Sequence, residues 1–124
     1  MAESQSTVGR WARETFPGGN DFGPQHAVRL LAEAAELCFA TGASFSSVQD
    51  ALNGVYRWDC LPERMGPEIV GAEMADVQVV LWAMAHRRGA DLQAEVDAKM
   101  AVNRAREWVS RGDGTGWHVK ESVV

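Results

Sequence analysis

The chain has 124 residues and a mass of 13.5 kDa, a length that suits one domain with one hydrophobic core. Hydrophobic residues make up 46% of the sequence and charged residues 23%, which is typical of a folded globular protein and argues against intrinsic disorder. The net charge of −5 leaves no basic excess of the kind that binds nucleic-acid polymers or anionic membrane surfaces. We therefore expect neither as a partner.

The sequence also favours a cytoplasmic protein. Its longest strongly apolar run, Val79 to Ala85, is too short to span a bilayer, and the first residues lack the basic and apolar regions of a signal peptide. Cys38 and Cys60 form no CxxC pair and have no histidine at metal-ligand spacing. A disulfide framework or a structural zinc site is therefore not expected.

Apolar residues recur with a helical period along most of the chain, and no stretch alternates as a strand would. A first short helix is expected from about Ser6 to Thr15, before a cluster of helix breakers that begins at Phe16. The helices that follow are expected at about residues 26–41, 44–56, 67–87 and 92–109. Pro67 suits the start of the longest helix and Gly89 its end.

These elements predict an all-α protein in which a short N-terminal element precedes a bundle of four helices. We expect one domain over residues 1–124, with its core at residues 26–108 and an irregular tail at residues 109–124. The pattern does not decide whether this tail is a short strand or an ordered arm.

Two of the predicted helices each carry a pair of acidic residues three positions apart: Glu33 with Glu36, and Glu73 with Asp76. At about 100° per residue, Glu73 and Asp76 fall inside the apolar stripe of their helix, whereas Glu33 borders an apolar face. Carboxylates in semi-buried positions need arginines or divalent cations, because like charges about 4 Å apart repel by roughly 1 kcal/mol even in water. Ligands that offer only oxygen favour Mg²⁺ or Mn²⁺ over zinc.

A basic and amide face is expected on the last helix, where Lys99, Asn103 and Arg106 are spaced i, i+4, i+7. These side chains could donate hydrogen bonds to a phosphate chain. The alternative is that Lys99 pairs with Glu95 and that the other two side chains are simply solvated.

The tryptophans suggest different roles. Trp11 and Phe16 precede the glycine-rich loop at Gly18 and could fold over a nucleobase. Trp82 lies within the most apolar helix and is expected in the core. Trp108 falls opposite the Lys99 face and is expected in packing or in an interface.

Four segments together resemble the MazG-like nucleotide pyrophosphohydrolases, which belong to the all-α NTP pyrophosphatase superfamily. The segments are Leu31–Leu37 (LAEAAEL), Glu73–Val77 (EMADV), Arg88–Leu92 (RGADL) and Lys99–Trp108 (KMAVNRAREW). The resemblance covers about residues 26–108 and is strongest to small stand-alone members of the phage type. The sequence departs from the family at Ala32, where the first motif commonly has a glutamate.

The resemblance implies Mg²⁺-dependent hydrolysis of a nucleoside triphosphate to the monophosphate and pyrophosphate. It implies two or more Mg²⁺ ions per site, replaceable by Mn²⁺, and a homodimer or homotetramer. The implied metal ligands are Glu33, Glu36, Glu73 and Asp76. The implied phosphate-binding residues are Lys99, Asn103 and Arg106. Glu33 and Glu36 are the candidate catalytic residues that receive the proton of the attacking water.

Two further functions stay open. Ala32 would suit a non-catalytic helical bundle that binds a nucleotide or a protein partner. An enzyme similar to dimeric dUTPases and dCTP pyrophosphatases would differ only in its base preference. Phage-type relatives suggest a purine deoxynucleotide such as dGTP, although no residue pattern here identifies the base.

Overall fold

The computed structural model describes residues 2–59 and 66–120, and it is mostly helical, which confirms the predicted all-α class. Within these ranges the helices are α1 (Gln5–Thr15), α2 (Gln25–Ala40), α3 (Phe45–Asp59), α4 (Pro67–Arg87) and α5 (Leu92–Ala105). A short antiparallel hairpin of β1 (Trp108–Ser110) and β2 (Gly116–His118) follows. Cys60 lies outside the described residues.

The helix ends follow from local chemistry that the sequence makes visible. α1 begins with a capping box, in which Ser4 and Thr7 each accept a hydrogen bond from the other's backbone N–H. α4 begins at Pro67, whose missing N–H costs nothing in a first turn. It is followed by Gly89, which adopts a φ of +66°, a conformation that favours glycine.

α5 is shorter than the sequence predicts, because it ends at Ala105 rather than near Val109. Arg106 is extended, with φ −84° and ψ 156°, and the chain continues directly into β1. In the hairpin, Trp108 pairs with His118. Of the two alternatives for the tail, the structure therefore shows the strand. The prediction of a helix to Val109 is wrong, because Trp108 and Val109 belong to β1.

The chain divides into two compact units. The terminal unit consists of Met1–Leu31 and Asp91–Val124, and the central unit of Ala32–Ala90. α2 begins in the terminal unit and ends in the central unit. Across the described ranges, Met100 of the terminal unit is the single hydrophobic side chain that is fully buried, at 4% exposure.

In the terminal unit, Glu3 ties the start of α1 to α5. The Arg104 guanidinium donates to both oxygens of the Glu3 carboxylate, with distances of 2.7 and 3.0 Å from Nη2. The Glu3 backbone N–H donates to the Asp97 carboxylate at 2.8 Å. These contacts join residues more than ninety positions apart in sequence and connect the N-terminal segment to α5.

An aromatic cluster fills the interior of the terminal unit. The ring of Trp108 makes edge-to-face contacts with Trp11 and Phe16, each at 5.4 Å between centroids, and with His118 at 5.7 Å. Its indole N–H donates to the Asn103 carbonyl oxygen at 2.8 Å, and this oxygen also accepts a longer hydrogen bond of 3.3 Å from the Arg106 backbone N–H. Trp108 therefore has the packing role that the sequence predicts.

The hairpin loop packs closely against the loop that follows α1. Gly18 and Asp113 form an isolated antiparallel bridge. A Cβ atom on Gly19, which has φ +84°, would lie 2.1 Å from the Asp113 carbonyl oxygen. Only glycine fits at this approach, because the neighbour is backbone and cannot turn away.

The central unit exposes much of its apolar surface. On α4 the exposed apolar side chains are Val70, Met74, Val77, Val79, Val80 and Trp82. Trp82 is 59% exposed, so the prediction that it lies in the core is wrong for the isolated chain. No helix in the described part of the chain combines the length and the apolar character needed to cross a bilayer.

Candidate functional site

Both acidic pairs lie in the central unit, on helices whose periodicity sets their spacing. Glu33 and Glu36 lie one turn apart on α2, and Glu73 and Asp76 lie one turn apart on α4. All four side chains are exposed. The expectation that the α4 pair is semi-buried is wrong for this chain, because the surrounding apolar side chains are themselves uncovered, Val80 by 68%.

Three of the four carboxylates in the acidic pairs lack compensation within the described ranges. Glu36, Glu73 and Asp76 have no hydrogen-bond or ion-pair partner among residues 2–59 and 66–120. In the same ranges no three side chains of His, Cys, Asp or Glu form a group that could hold a metal ion. Their donor chemistry is what Mg²⁺ prefers, but a shared centre for the four carboxylates stays a prediction.

The basic and amide face of α5 is smaller than predicted. Lys99 is exposed on the helix, and Asn103 is half-buried one turn further on. Arg106 lies beyond the last helical residue in extended backbone, so it does not continue the face. The i, i+4, i+7 arrangement is therefore wrong in its last member, because α5 ends one residue before it.

Asn103 has an unusual environment. Its side-chain N–H₂ group donates to the Met100 sulfur at 3.7 Å, a weak interaction. Its side-chain oxygen is buried, and no residue in the described ranges donates to it. Buried polar atoms without partners are uncommon and often mark a site for a ligand or a water molecule. Asn103 thus keeps its place among the candidate binding residues.

Trp11 lies within the aromatic cluster. Its ring contacts Phe16 at 5.7 Å and Trp108 at 5.4 Å between centroids, both edge to face. This packing accounts for its half-buried position. A role of Trp11 in stacking on a nucleobase stays a prediction.

A cleft at the end of α5 contains residues that sequence reasoning missed. It has a volume of about 700 Å³ and is lined by Ala105, Arg106, Glu107, His118, Val119 and Lys120. His118 and Lys120 belong to the tail, which the sequence pattern left undetermined. The pairing of Trp108 with His118 was the missing signal, and it depends on a loop that periodicity does not reveal.

Two carboxyl groups of the terminal unit have pKa values below their usual range. The Arg104 hydrogen bond is the main cause for Glu3, assisted by the Thr7 hydroxyl. The Thr115 hydroxyl, which donates at 2.6 Å, lowers the pKa of Asp113 together with the Thr115 backbone N–H. Both groups belong to contacts that stabilise the fold, not to the acidic pairs.

The acidic pairs, the α5 residues and the cleft are thus the features from which a function must be argued. Comparisons of the chain with protein-family models, with curated proteins and with solved structures gave no match.

Proposed function

We propose that this protein is a Mg²⁺-dependent nucleoside triphosphate pyrophosphohydrolase of the MazG-like type. The observation that carries the proposal is the state of three carboxylates in the central unit. Glu36, Glu73 and Asp76 are exposed, have no partner in the described ranges, and share the unit with uncovered apolar side chains. This combination is unusual for a face that serves only to contact solvent.

A solvated helix face would surround its carboxylates with other polar groups. On α4, however, Val70, Met74 and Val77 adjoin Glu73 and are 53%, 61% and 47% exposed. Association of copies of the chain through such apolar surface would place the carboxylates in a medium of lower dielectric, where cations are needed to compensate them. We therefore include a homodimer or homotetramer in the proposal.

In this proposal, Glu33, Glu36, Glu73 and Asp76 hold two or more Mg²⁺ ions, for which Mn²⁺ can substitute. The bound ions would neutralise phosphate charge and lower the pKa of a water molecule. Glu33 or Glu36 accepts the proton of the water that attacks the α-phosphorus. The bond from that phosphorus to its bridging oxygen breaks, and pyrophosphate leaves.

The substrate contacts in this proposal are those that the resemblance implies. Lys99 and Arg106 offset the negative charge that grows on the pyrophosphate, because cations stabilise a leaving phosphate group. Asn103 can donate or accept a hydrogen bond, and Trp11 offers an aromatic ring to a base. A purine deoxynucleotide such as dGTP in the cytoplasm is the substrate and setting that the resemblance suggests.

The proposal is tested by measuring pyrophosphate release from each dNTP and NTP, with Mg²⁺ and with EDTA. We expect release from at least one triphosphate that requires Mg²⁺ and that falls by at least about 100-fold in Glu73→Gln. Glu68→Gln, which removes a carboxylate from the first turn of the same helix, is the matched control and should keep its activity.

Other outcomes would contradict the proposal. Undiminished turnover in Glu73→Gln would exclude the assigned role of this residue. Nucleotide binding without turnover would favour the non-catalytic binding module, for which Ala32 is the supporting residue. Selective hydrolysis of dUTP or dCTP would instead favour the enzyme class with pyrimidine preference.

A further inference from the structure

The C-terminal hairpin brings basic residues together at the end of α5. β1 and β2 pair with Trp108 opposite His118, and a backbone hydrogen bond of 2.9 Å extends the pairing by one residue on each strand. Continuing the same register by one more residue places Lys120 opposite Arg106. Two residues that are fourteen positions apart in sequence thus become cross-strand neighbours.

The basic residues share one face of the hairpin. Because side chains alternate between the two faces of a strand, Arg106 and Lys120 lie on the same face as His118. All three residues line the cleft of about 700 Å³. Glu107 lines it as well, so the cleft contains one carboxylate beside these three side chains.

The three basic side chains outnumber the single carboxylate of the cleft. Like charges directly opposite each other destabilise a pair of strands. Arg106, His118 and Lys120 form no ion pair with any carboxylate in residues 2–59 and 66–120. Since Arg106 is half-buried, water screens its charge less than that of a fully exposed arginine. An anion bound in the cleft would relieve this repulsion.

We propose that this cleft binds an anion of the pyrophosphate class, either free pyrophosphate or the phosphate tail of a nucleotide. The Arg106 guanidinium can bind two phosphate oxygens at once, Lys120 adds a compact positive charge, and the His118 ring can donate a further hydrogen bond. The cleft exceeds the space that one phosphoryl group needs. Two linked phosphoryl groups can reach donors on both strands.

The new element is the contribution of the hairpin. The resemblance implies a phosphate role for Arg106, whereas His118 and Lys120 come from the tail, to which it assigns nothing. The inference rests on the proposed function for the identity of the anion, because pyrophosphate is the product of that reaction. The binding itself needs no metal ion and no turnover.

The test is isothermal titration calorimetry of the full chain with inorganic pyrophosphate in EDTA. Lys120→Gln is the decisive variant, because Lys120 is exposed and its replacement leaves the fold intact. We expect this variant to bind pyrophosphate about 10-fold more weakly, and Arg106→Gln to bind it more weakly still. Arg111→Gln is the matched control, because its side chain lies over the Trp117 ring of the same hairpin.

Further ligands separate the sources of the anion. If Lys120→Gln loses affinity equally for pyrophosphate and for a nucleoside triphosphate, the cleft binds the phosphate tail of the nucleotide. If it loses affinity for pyrophosphate alone, the cleft binds the free anion. Unchanged binding in Lys120→Gln, an equal loss in Arg111→Gln, or sulfate binding as tight as that of pyrophosphate overturns the inference. Binding that depends on Lys120 in a protein without hydrolytic activity would contradict the proposed function and leave the cleft assignment standing.

Discussion

The helices of the terminal unit and those of the central unit are stabilised by different kinds of contact. The terminal unit joins distant parts of the sequence through the Glu3–Arg104 ion pair and the aromatic contacts of Trp108. In the central unit, the hydrogen bonds at Ser44 and Thr41 stay within three residues and serve helix ends. Its apolar side chains on α4 remain uncovered.

Hydrophobic periodicity alone therefore does not determine what an apolar helix face packs against. The apolar residues of α4 have the spacing of a core helix, yet Val80 is 68% exposed. The terminal unit joins distant segments by specific aromatic and polar contacts, although Phe22 and Trp117 are exposed there too. The central unit instead leaves apolar surface exposed on α4, the helix that carries two of the candidate metal ligands.

The largest change in the free energy of unfolding is expected when Trp108 of the terminal unit is replaced, and Trp82 of the central unit provides the comparison. Trp108→Ala removes three aromatic contacts and the hydrogen bond to the Asn103 carbonyl oxygen, and should lower the free energy of unfolding by about 3 kcal/mol. Trp82→Ala, at a 59% exposed site, should cost less than about 1 kcal/mol in the monomer. Urea denaturation at low protein concentration measures both. Equal losses would contradict the contrast between the units.

A second comparison replaces one glycine of each unit with alanine and measures the change in stability. Gly19→Ala places a Cβ atom 2.1 Å from the Asp113 carbonyl oxygen at a φ of +84°, and should destabilise the protein by about 2 kcal/mol. Gly54→Ala lies within α3, where a Cβ atom would meet nothing within 4 Å in the described ranges, and should stabilise by about 0.5 kcal/mol. Thermal denaturation gives both shifts. Two shifts of the same sign would be inconsistent with the close loop contact at Gly19.

The sequence predicts the helices well where local chemistry defines them. Pro67 and Gly89 bound α4 in the structure as in the sequence pattern, because capping and breaker residues act locally. The end of α5 could not be found this way, since it depends on pairing of Trp108 with His118. Glu3 gave no signal either, because its partner Arg104 is distant in sequence.

The candidate site likewise has some features that the sequence predicts and others that it does not. The spacing of Glu73 and Asp76 on one helix follows from the sequence, because helical geometry fixes it. Their exposure does not follow, because burial depends on what covers α4. Lys120 could not be proposed as a partner of Arg106 until the register of the hairpin was known.

A third prediction tests whether the apolar face of α4 is covered by another copy of the chain. Val80→Lys introduces a charge at a 68% exposed apolar position and should weaken self-association at least about 10-fold, or about 1.4 kcal/mol. Gln78→Lys adds the same charge on another side of α4 and is the control. Sedimentation velocity over a range of concentrations measures the change. A wild-type protein that stays monomeric throughout would refute the expectation.

The smallest effect is expected from the ion pair that closes the terminal unit. The Arg104 guanidinium lowers the pKa of Glu3 in the folded protein below its value in the unfolded chain. The ionised carboxylate therefore stabilises the fold at pH values above the unfolded-state pKa, and this contribution is lost as the pH falls through the folded-state pKa. Asp113 adds a contribution of the same sign, through its hydrogen bonds from Thr115.

Glu3→Gln removes the first of these contributions and retains the second. The variant should be slightly less stable than the wild type at neutral pH. Its stability should decline less steeply below about pH 5, because residue 3 no longer takes up a proton when the protein unfolds. Urea denaturation midpoints between pH 3 and pH 7 provide the measurement. Glu14→Gln, on the exposed side of α1, serves as the control. Parallel pH profiles for wild type and Glu3→Gln would contradict a stabilising role for the Glu3–Arg104 ion pair.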